Sequence, residues 1–238
     1  AGTRLTPAHV AVLGVAGLDA VRVRRRPTVA LVLTGDEVVG AGRPTPGRVR
    51  DAFDPMLPAA VHALGGDVVR VVRIGDDHAA IAAAVAGPED VVVIVGGTGR
   101  SRVDLLRRAL GDAPVAFDGV AMRPGHPTLL TATVRPVLGL PGNPLAAVAA
   151  LLSFLPPILD GLTSATAAPL PTAPAAEPLL GWRGTSLVPC ARTADGLVPA
   201  AGARPNMLRG LAASDVLAVV PPEGAEPGTS VRVLPLPW

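Results

Sequence analysis

Along residues 27–160 the spacing of apolar positions switches repeatedly between two forms. TVALVLTG (28–35) is a short, β-branched apolar run closed by glycine, the form of a buried strand. DPMLPAAVHALGG (54–66) carries apolar residues at helical spacing and ends in a glycine stop. A strand follows in DVVRVVRIG (67–75), then a helix in DDHAAIAAAVAG (76–87), whose leading carboxylates suit the positive end of a helix. DVVVIVGGTG (90–99) predicts a strand buried on both faces, SRVDLLRRAL (101–110) a helix, and TATVRPVLGLPG (131–142) another strand. The apolar run from Leu145 to Leu159 predicts a long helix. Strands alternating with helices need crossover connections, so the expected fold is α/β with a mostly parallel sheet.

The flanks read differently. Residues 1–27 hold a helix entered at Thr6 and Pro7 and ending near Gly17, then a connecting segment. ATAAPLPTAPAAE, ending at residue 177, has the alanine- and proline-rich composition of a semi-rigid linker. Beyond it TSLVPCAR, GLVPAAG, DVLAVVP and TSVRVLPL are short strand-like runs between glycine and proline turns, which predict a small all-β domain. The expected organisation is therefore 1–27, an α/β domain over 28–164, a linker over 165–177 and a β domain over 178–238.

Composition narrows the function classes. Ser153 and Pro156-Pro157 interrupt the longest apolar run, leaving it short of the roughly 20 residues of a membrane span, so no membrane segment is expected. The first residues lack the pattern of a secretory signal and one cysteine builds no disulfide framework, which points to a cytoplasmic, reducing setting. A sequence pI near 9.8 accompanies a net charge of only +2, because the basic residues are all arginine and tyrosine is absent. With 2% aromatic residues there are few stacking platforms, so VRVRRRP (21–27) is not taken as a nucleic-acid site and no nucleic-acid partner is expected.

The candidate chemistry gathers at strand ends. Parallel sheets bind ligands outside the carboxyl ends of their strands, and here those ends are TGDE (34–37), GGTG (96–99) and GLPGNP (139–144). Glycines there let backbone amides face an anion, and the start of the long helix supplies unpaired N–H groups. Asp36 and Glu37 could meet a metal or orient a bound group, or simply cap a helix. GGTGRS offers Gly96, Gly97, Gly99, Thr98 and Ser101 but lacks the lysine and spacing of a Walker loop. AMRPGHP (121–127) places Arg123 and His126 around a Pro124-Gly125 turn. His9, His62, His78 and Cys190 show no zinc spacing and are read as structural. Asp51, Asp76, Asp77 and Asp104 are read first as caps.

In combination, TGDEVVGAG, GRVRDA, IGDD, GGTG with Asp104 after it, FDGVAMRPGHP and GLPGNP resemble, in order and approximate spacing, the molybdopterin molybdenumtransferase family, the MoeA and gephyrin E-domain proteins. The tail from Asn206 looks like that family's C-terminal β domain. The resemblance implies a three-layer molybdopterin-binding domain and insertion of molybdate into adenylylated molybdopterin with release of AMP. It implies Asp36, Glu37 and Asp104 in the catalytic site, with Asp36 on Mg2+. It implies a substrate wall of Thr34, Gly35, Gly96, Gly97, Thr98, Gly99, Ser101, Arg123, Pro124, Gly125, His126, Pro141, Gly142, Asn143 and Pro144.

Four positions depart from the family pattern. The usual Gly-Gly-Val-Ser turn is Gly96-Gly97-Thr98-Gly99, and Asp-Ser-Asn is Asp51-Ala52-Phe53. A lysine is replaced by His126, which can be neutral where lysine would be charged, and a serine by Ala146. Family members carry two further domains ahead of the position of Ala1, so the chain resembles the second half of a longer protein. The resemblance then implies a homodimer, and separately supplied N-terminal domains or an adenylyltransferase as partners. Three activities fit: molybdenum insertion, a molybdopterin-binding module without catalysis, or adenylyl transfer.

Overall fold

The computed structural model describes residues 2–3, 5–96, 103–202 and 208–238, the side chains of 103 and 104 excepted. The chain opens with α1 (Pro7–Val15), capped as expected: the Thr6 hydroxyl accepts from the His9 N–H, and His9 reaches back to the Thr6 N–H. None of its residues is buried.

The α/β part follows. It runs β1 (Thr28–Thr34), β2 (Val38–Val39), β3 (Val49–Arg50), α2 (Leu57–Ala63), β4 (Asp67–Ile74), α3 (His78–Val85), β5 (Val91–Val95) and α4 (Val103–Leu110). Then come β6 (Val115–Asp118), β7 (Met122–Arg123), β8 (Leu129–Thr131), β9 (Val137–Leu140) and α5 (Pro144–Thr163). The sheet order is β4-β1-β5-β9-β8-β6, with β4, β1, β5 and β9 parallel and the last two antiparallel. The mostly parallel α/β sheet is as the sequence implies. One face packs on α2 and α5 through Leu31, Val93, Leu138 and Leu151, and the other on α3 and α4 through Val32, Ile94, Ile81 and Leu106.

Arginines at 24–26 fasten the N-terminal segment to this part. Arg24 donates to the Leu162 carbonyl, Arg25 pairs with Asp90 through two bonds of 2.5 and 3.0 Å, and Arg26 donates to the His62 carbonyl. That basic cluster is thus occupied internally.

The α5 helix corrects one expectation. It runs 20 residues with a mean hydropathy of 1.9, long and apolar enough by composition to cross a membrane, and Pro156 and Pro157 lie inside it. Leu151, Leu152, Leu155 and Leu159 are buried while Pro157 faces outward, so burial of the inward stripe outweighs the lost amide bonds. Its buried residues make it the core helix of this protein.

A second sheet follows, built from β10 (Thr172–Pro174), β11 (Thr185–Thr193), β12 (Gly196–Pro199), β13 (Val216–Val220) and β14 (Ser230–Pro235). The short α6 (Leu208–Ala212) lies between β12 and β13. Its order is β10-β14-β13-β11-β12. The segment expected as linker therefore contributes a strand at the sheet edge, where Pro174 is tolerated. Its interior holds Cys190, whose thiol burial pushes up to about 11, an inert structural role. Leu187, Leu211, Leu217 and Leu234 join the α5 cluster, so the two parts share one core.

Candidate functional site

Four parallel strands deliver their carboxyl ends to one edge. At the end of β1 the buried Thr34 hydroxyl donates to the Val95 carbonyl at 3.3 Å, tying that end to β5. Gly35 then takes φ +125°, a region that favours glycine, and the chain turns so that Val38 N–H donates to the Gly35 carbonyl. Asp36 is exposed and Glu37 half-buried, with the Glu37 carboxylate folded back over Gly35. Arg48 donates to the Asp36 carbonyl and holds the turn from outside.

Gly75 at the end of β4 lies against Asp36: a β-carbon placed there would come within 2.7 Å of Oδ1. The Asp76 N–H donates to that same oxygen at 3.3 Å. Asp77, not Asp76, caps α3, accepting from Ala80 N–H at 2.8 Å. Asp76 was read as a cap from the sequence, and the structure instead places it beside Asp36. Two adjacent acids in IGDD, of which one suffices for capping, were the signal. Asp51 lies behind the turn, buried and paired with Arg73, and accepts from the Phe53 and Asp54 N–H groups, a structural role.

The end of β5 meets both neighbours. Gly96 has φ +96°, and a β-carbon there would approach the Thr34 Oγ1 to 2.6 Å. Its N–H donates to the Leu140 carbonyl of β9, and Gly142 lies so close that its own β-carbon would stand 3.5 Å from the Gly96 Cα. Gly97, Thr98, Gly99 and Ser101 lie outside the described residues, as does the Asp104 side chain, although Asp104 itself falls in the first turn of α4. After β9, Pro141 is buried, Asn143 caps α5 by accepting from Ala146 N–H at 3.3 Å, and Pro144 opens the helix.

The PGHP segment closes the far side. Gly125, at φ +119°, packs on Met122, and a β-carbon there would stand 3.7 Å from the Ala146 carbonyl in the first turn of α5. The Thr128 hydroxyl donates to the Gly125 carbonyl at 2.6 Å. Pro124 follows Arg123 through a cis bond. His126 is exposed with Nδ1 2.6 Å from the Val120 carbonyl, which can only accept, so Nδ1 carries the proton. Arg123 is exposed, its guanidinium 6.0 Å from the centre of the Trp182 ring, a residue the sequence reading did not single out.

The edge is thus polarised. Asp36, Glu37 and Asp76 stand where β1 and β4 end, while the Gly125 turn between Arg123 and His126 packs against the first turn of α5, which follows β9. Among the described residues no three His, Cys, Asp or Glu side chains form a metal cage. The exposed Asp36 carboxylate, which accepts from the Asp76 N–H, is a hard oxygen donor of the kind that suits Mg2+, which takes one or two carboxylates and completes its shell with water and phosphate. An apolar groove lined by Val85, Leu110 and Val137 lies at the opposite edge, away from these groups.

Comparison with known proteins shows the family to which this sheet and its glycine-rich edge belong. Residues 30–161 match the family described as a probable molybdopterin binding domain. The chain belongs to that family.

Its relatives include the molybdopterin molybdenumtransferase of Nostoc sp., 32% identical over 172 residues, covering 68% of this chain and 39% of the relative. Molybdopterin molybdenumtransferase 2 of Mycobacterium tuberculosis is also 32% identical, covering 66% of this chain and 42% of the relative. The chain therefore spans about two-fifths of the length of these curated relatives. The solved structure of a molybdopterin biosynthesis MoeA protein from Pyrococcus horikoshii superposes with a TM-score of 0.80 at 27% identity, covering 99% of this chain and 61% of that one. The resemblance to molybdopterin molybdenumtransferases carried by TGDE, GGTG and PGNP is borne out, and so is the α/β class.

Proposed function

We propose that this chain forms the substrate pocket of a molybdopterin molybdenumtransferase, binding adenylylated molybdopterin so that molybdate is inserted at its dithiolene sulfurs and AMP is released. The observation that carries this reading is the mutual contact of the Thr34, Gly96 and Gly142 turns along β1, β5 and β9, with Asp36 and Asp76 on one side and Arg123 and His126 on the other.

Each group then has a physical task. Glycine turns let the phosphoanhydride approach backbone closely, and the N-terminus of α5 adds partial positive charge. Arg123 donates from a planar fork that matches a phosphate or molybdate oxyanion. His126, held through Nδ1 on the Val120 carbonyl, lies in the same segment and borders the same anion. Asp36 and Asp76 orient the water that splits the phosphoanhydride, and with phosphate and water they would hold Mg2+, which would neutralise developing charge. Glu37 and Asp104 are assigned catalytic roles in this reading, and Gly97, Thr98, Gly99 and Ser101 substrate binding. A cytoplasmic setting, a homodimer and N-terminal domains supplied by the rest of a longer protein or by a partner belong to this reading.

Titration of the purified chain with adenylylated molybdopterin, with and without molybdate, tests it through pterin binding and AMP release. Binding with molybdate-dependent AMP release is expected once the N-terminal domains of a family member are supplied. Binding without release under those conditions would leave a non-catalytic module, and absence of binding would remove the pocket.

A further inference from the structure

The β domain reaches into the site at one point. β7 adds in parallel to β11, with Met122 opposite Thr185 and Arg123 opposite Ser186, and the Thr185 N–H donates to the Ala121 carbonyl at 2.9 Å. Gly184 lies so tightly on that carbonyl that a β-carbon has no room, and Gly181 is pressed in the same way against Pro222 and Gly224. Trp182 is half-buried on a stretch of main chain fixed at both of these glycines, and the Arg123 guanidinium lies over its ring at 6.0 Å from the centre. Arg123 is exposed and, among the described residues, forms no ion pair with a carboxylate.

We propose that Trp182 is a positioning residue that orients Arg123 for an oxyanion of the substrate. At 6.0 Å the guanidinium is within cation–π reach of the indole, which biases its position while its N–H groups remain available to a phosphate or molybdate oxygen. An unsupported arginine loses rotamer freedom when an anion fixes it, and a ring that already biases its position reduces that cost. The β domain, on this account, is part of the binding apparatus. The proposal rests on the reading of the PGHP segment as the anion wall of a molybdopterin pocket.

Equilibrium dialysis of the full chain against adenylylated molybdopterin tests it. Trp182→Leu, which keeps apolar bulk and removes the π face, is expected to weaken binding about three- to tenfold. Trp182→Phe should stay within about twofold of the parent. In an Arg123→Ala background, Trp182→Leu should add nothing further, because the tryptophan then has nothing to orient. A parent chain that binds while Trp182→Leu binds equally well overturns the inference and leaves the pocket intact. Equal losses from Trp182→Leu with and without Arg123 overturn it too, since the tryptophan would then act through packing. A parent chain that binds nothing removes the pocket reading and the inference together.

A second measurement needs no disruptive variant. Trp238→Phe, at the exposed C-terminal residue, leaves Trp182 as the single indole. Inorganic phosphate or molybdate should shift its emission when Arg123 is present and not in Arg123→Ala. An identical shift in both overturns the coupling.

Discussion

Gly96 and Gly142 separate two effects that substitutions at a tight site usually mix. Gly96 combines φ +96° with a β-carbon position 2.6 Å from Thr34 Oγ1, so Gly96→Ala is expected to cost about 1–3 kcal/mol of stability and to push β1 and β5 apart at the pocket. Gly142 has an ordinary φ and a β-carbon position in normal contact, 3.5 Å from the Gly96 Cα. Gly142→Ala should therefore fold within about 0.5 kcal/mol of the parent, yet place a methyl group among the turns and weaken pterin binding. Denaturant midpoints together with dialysis check both; a large stability loss from Gly142→Ala would contradict the geometry. These glycines were legible in the sequence because a glycine at a strand end has few other reasons to be there. Trp182 was not, since its role depends on a β7–β11 pairing that no local pattern announces. Asp90, at the other end of the sheet, gives a pH signature. The Arg25 guanidinium, helped by two Thr28 donors against the opposing effect of burial, holds its carboxyl at about 2, below its usual 3.8. A depressed carboxyl contributes its stability in full above 3.8, and that contribution disappears as pH falls from 3.8 through about 2. Unfolding midpoints measured from pH 5 to 2 should fall in this window, and Arg25→Ala should flatten the fall, modestly because Arg25 is well exposed.

Helices and doubly buried strands were read from the sequence nearly to their bounds because their apolar periods are long and bounded by glycine or acidic caps. β6, β7 and β8 escaped because they are two to four residues long, and the exposed positions of β6 show no alternation. The reach of α5 through Pro156 and Pro157 escaped for a different reason: what carries it is burial of its inward leucines, visible only once the sheet and the β domain are in place. The start of this helix is capped by Asn143 and, in the proposed function, also meets the ligand, and the two roles can be separated. Asn143 accepts from the Ala146 N–H, so Asn143→Ala should cost about 1 kcal/mol, whereas Asn143→Asp keeps a good cap and should retain stability. The added charge of the aspartate would nonetheless repel a phosphate brought to the same turn. Retained unfolding midpoint with weakened pterin binding in Asn143→Asp is the expected outcome. Unchanged binding would mean that the ligand does not approach α5.

At the scale of the molecule, the chain pattern suggests two domains and a linker, while packing joins them. Leu187, Leu211, Leu217 and Leu234 of the β part belong to the same buried cluster as Leu151 and Leu155 of α5, and β7 pairs with β11 across the junction. A part that owns its core can unfold alone, whereas parts that share one expose each other's apolar surface when either opens. The expected outcome is a single unfolding transition in which far-UV circular dichroism, dominated by helices of the α/β part, coincides with fluorescence of Trp182 in the Trp238→Phe chain. Leu217→Ala, a fully buried position of the β part, should lower both signals' midpoints together, with a cost of about 2–5 kcal/mol. Two separated transitions, or a Leu217→Ala effect confined to the fluorescence, would show that the parts are energetically independent. A shared transition also bears on function: an arginine oriented from the β part can serve the sheet edge only if both parts are folded at once. Coupled stability and coupled binding should then fail in the same variants.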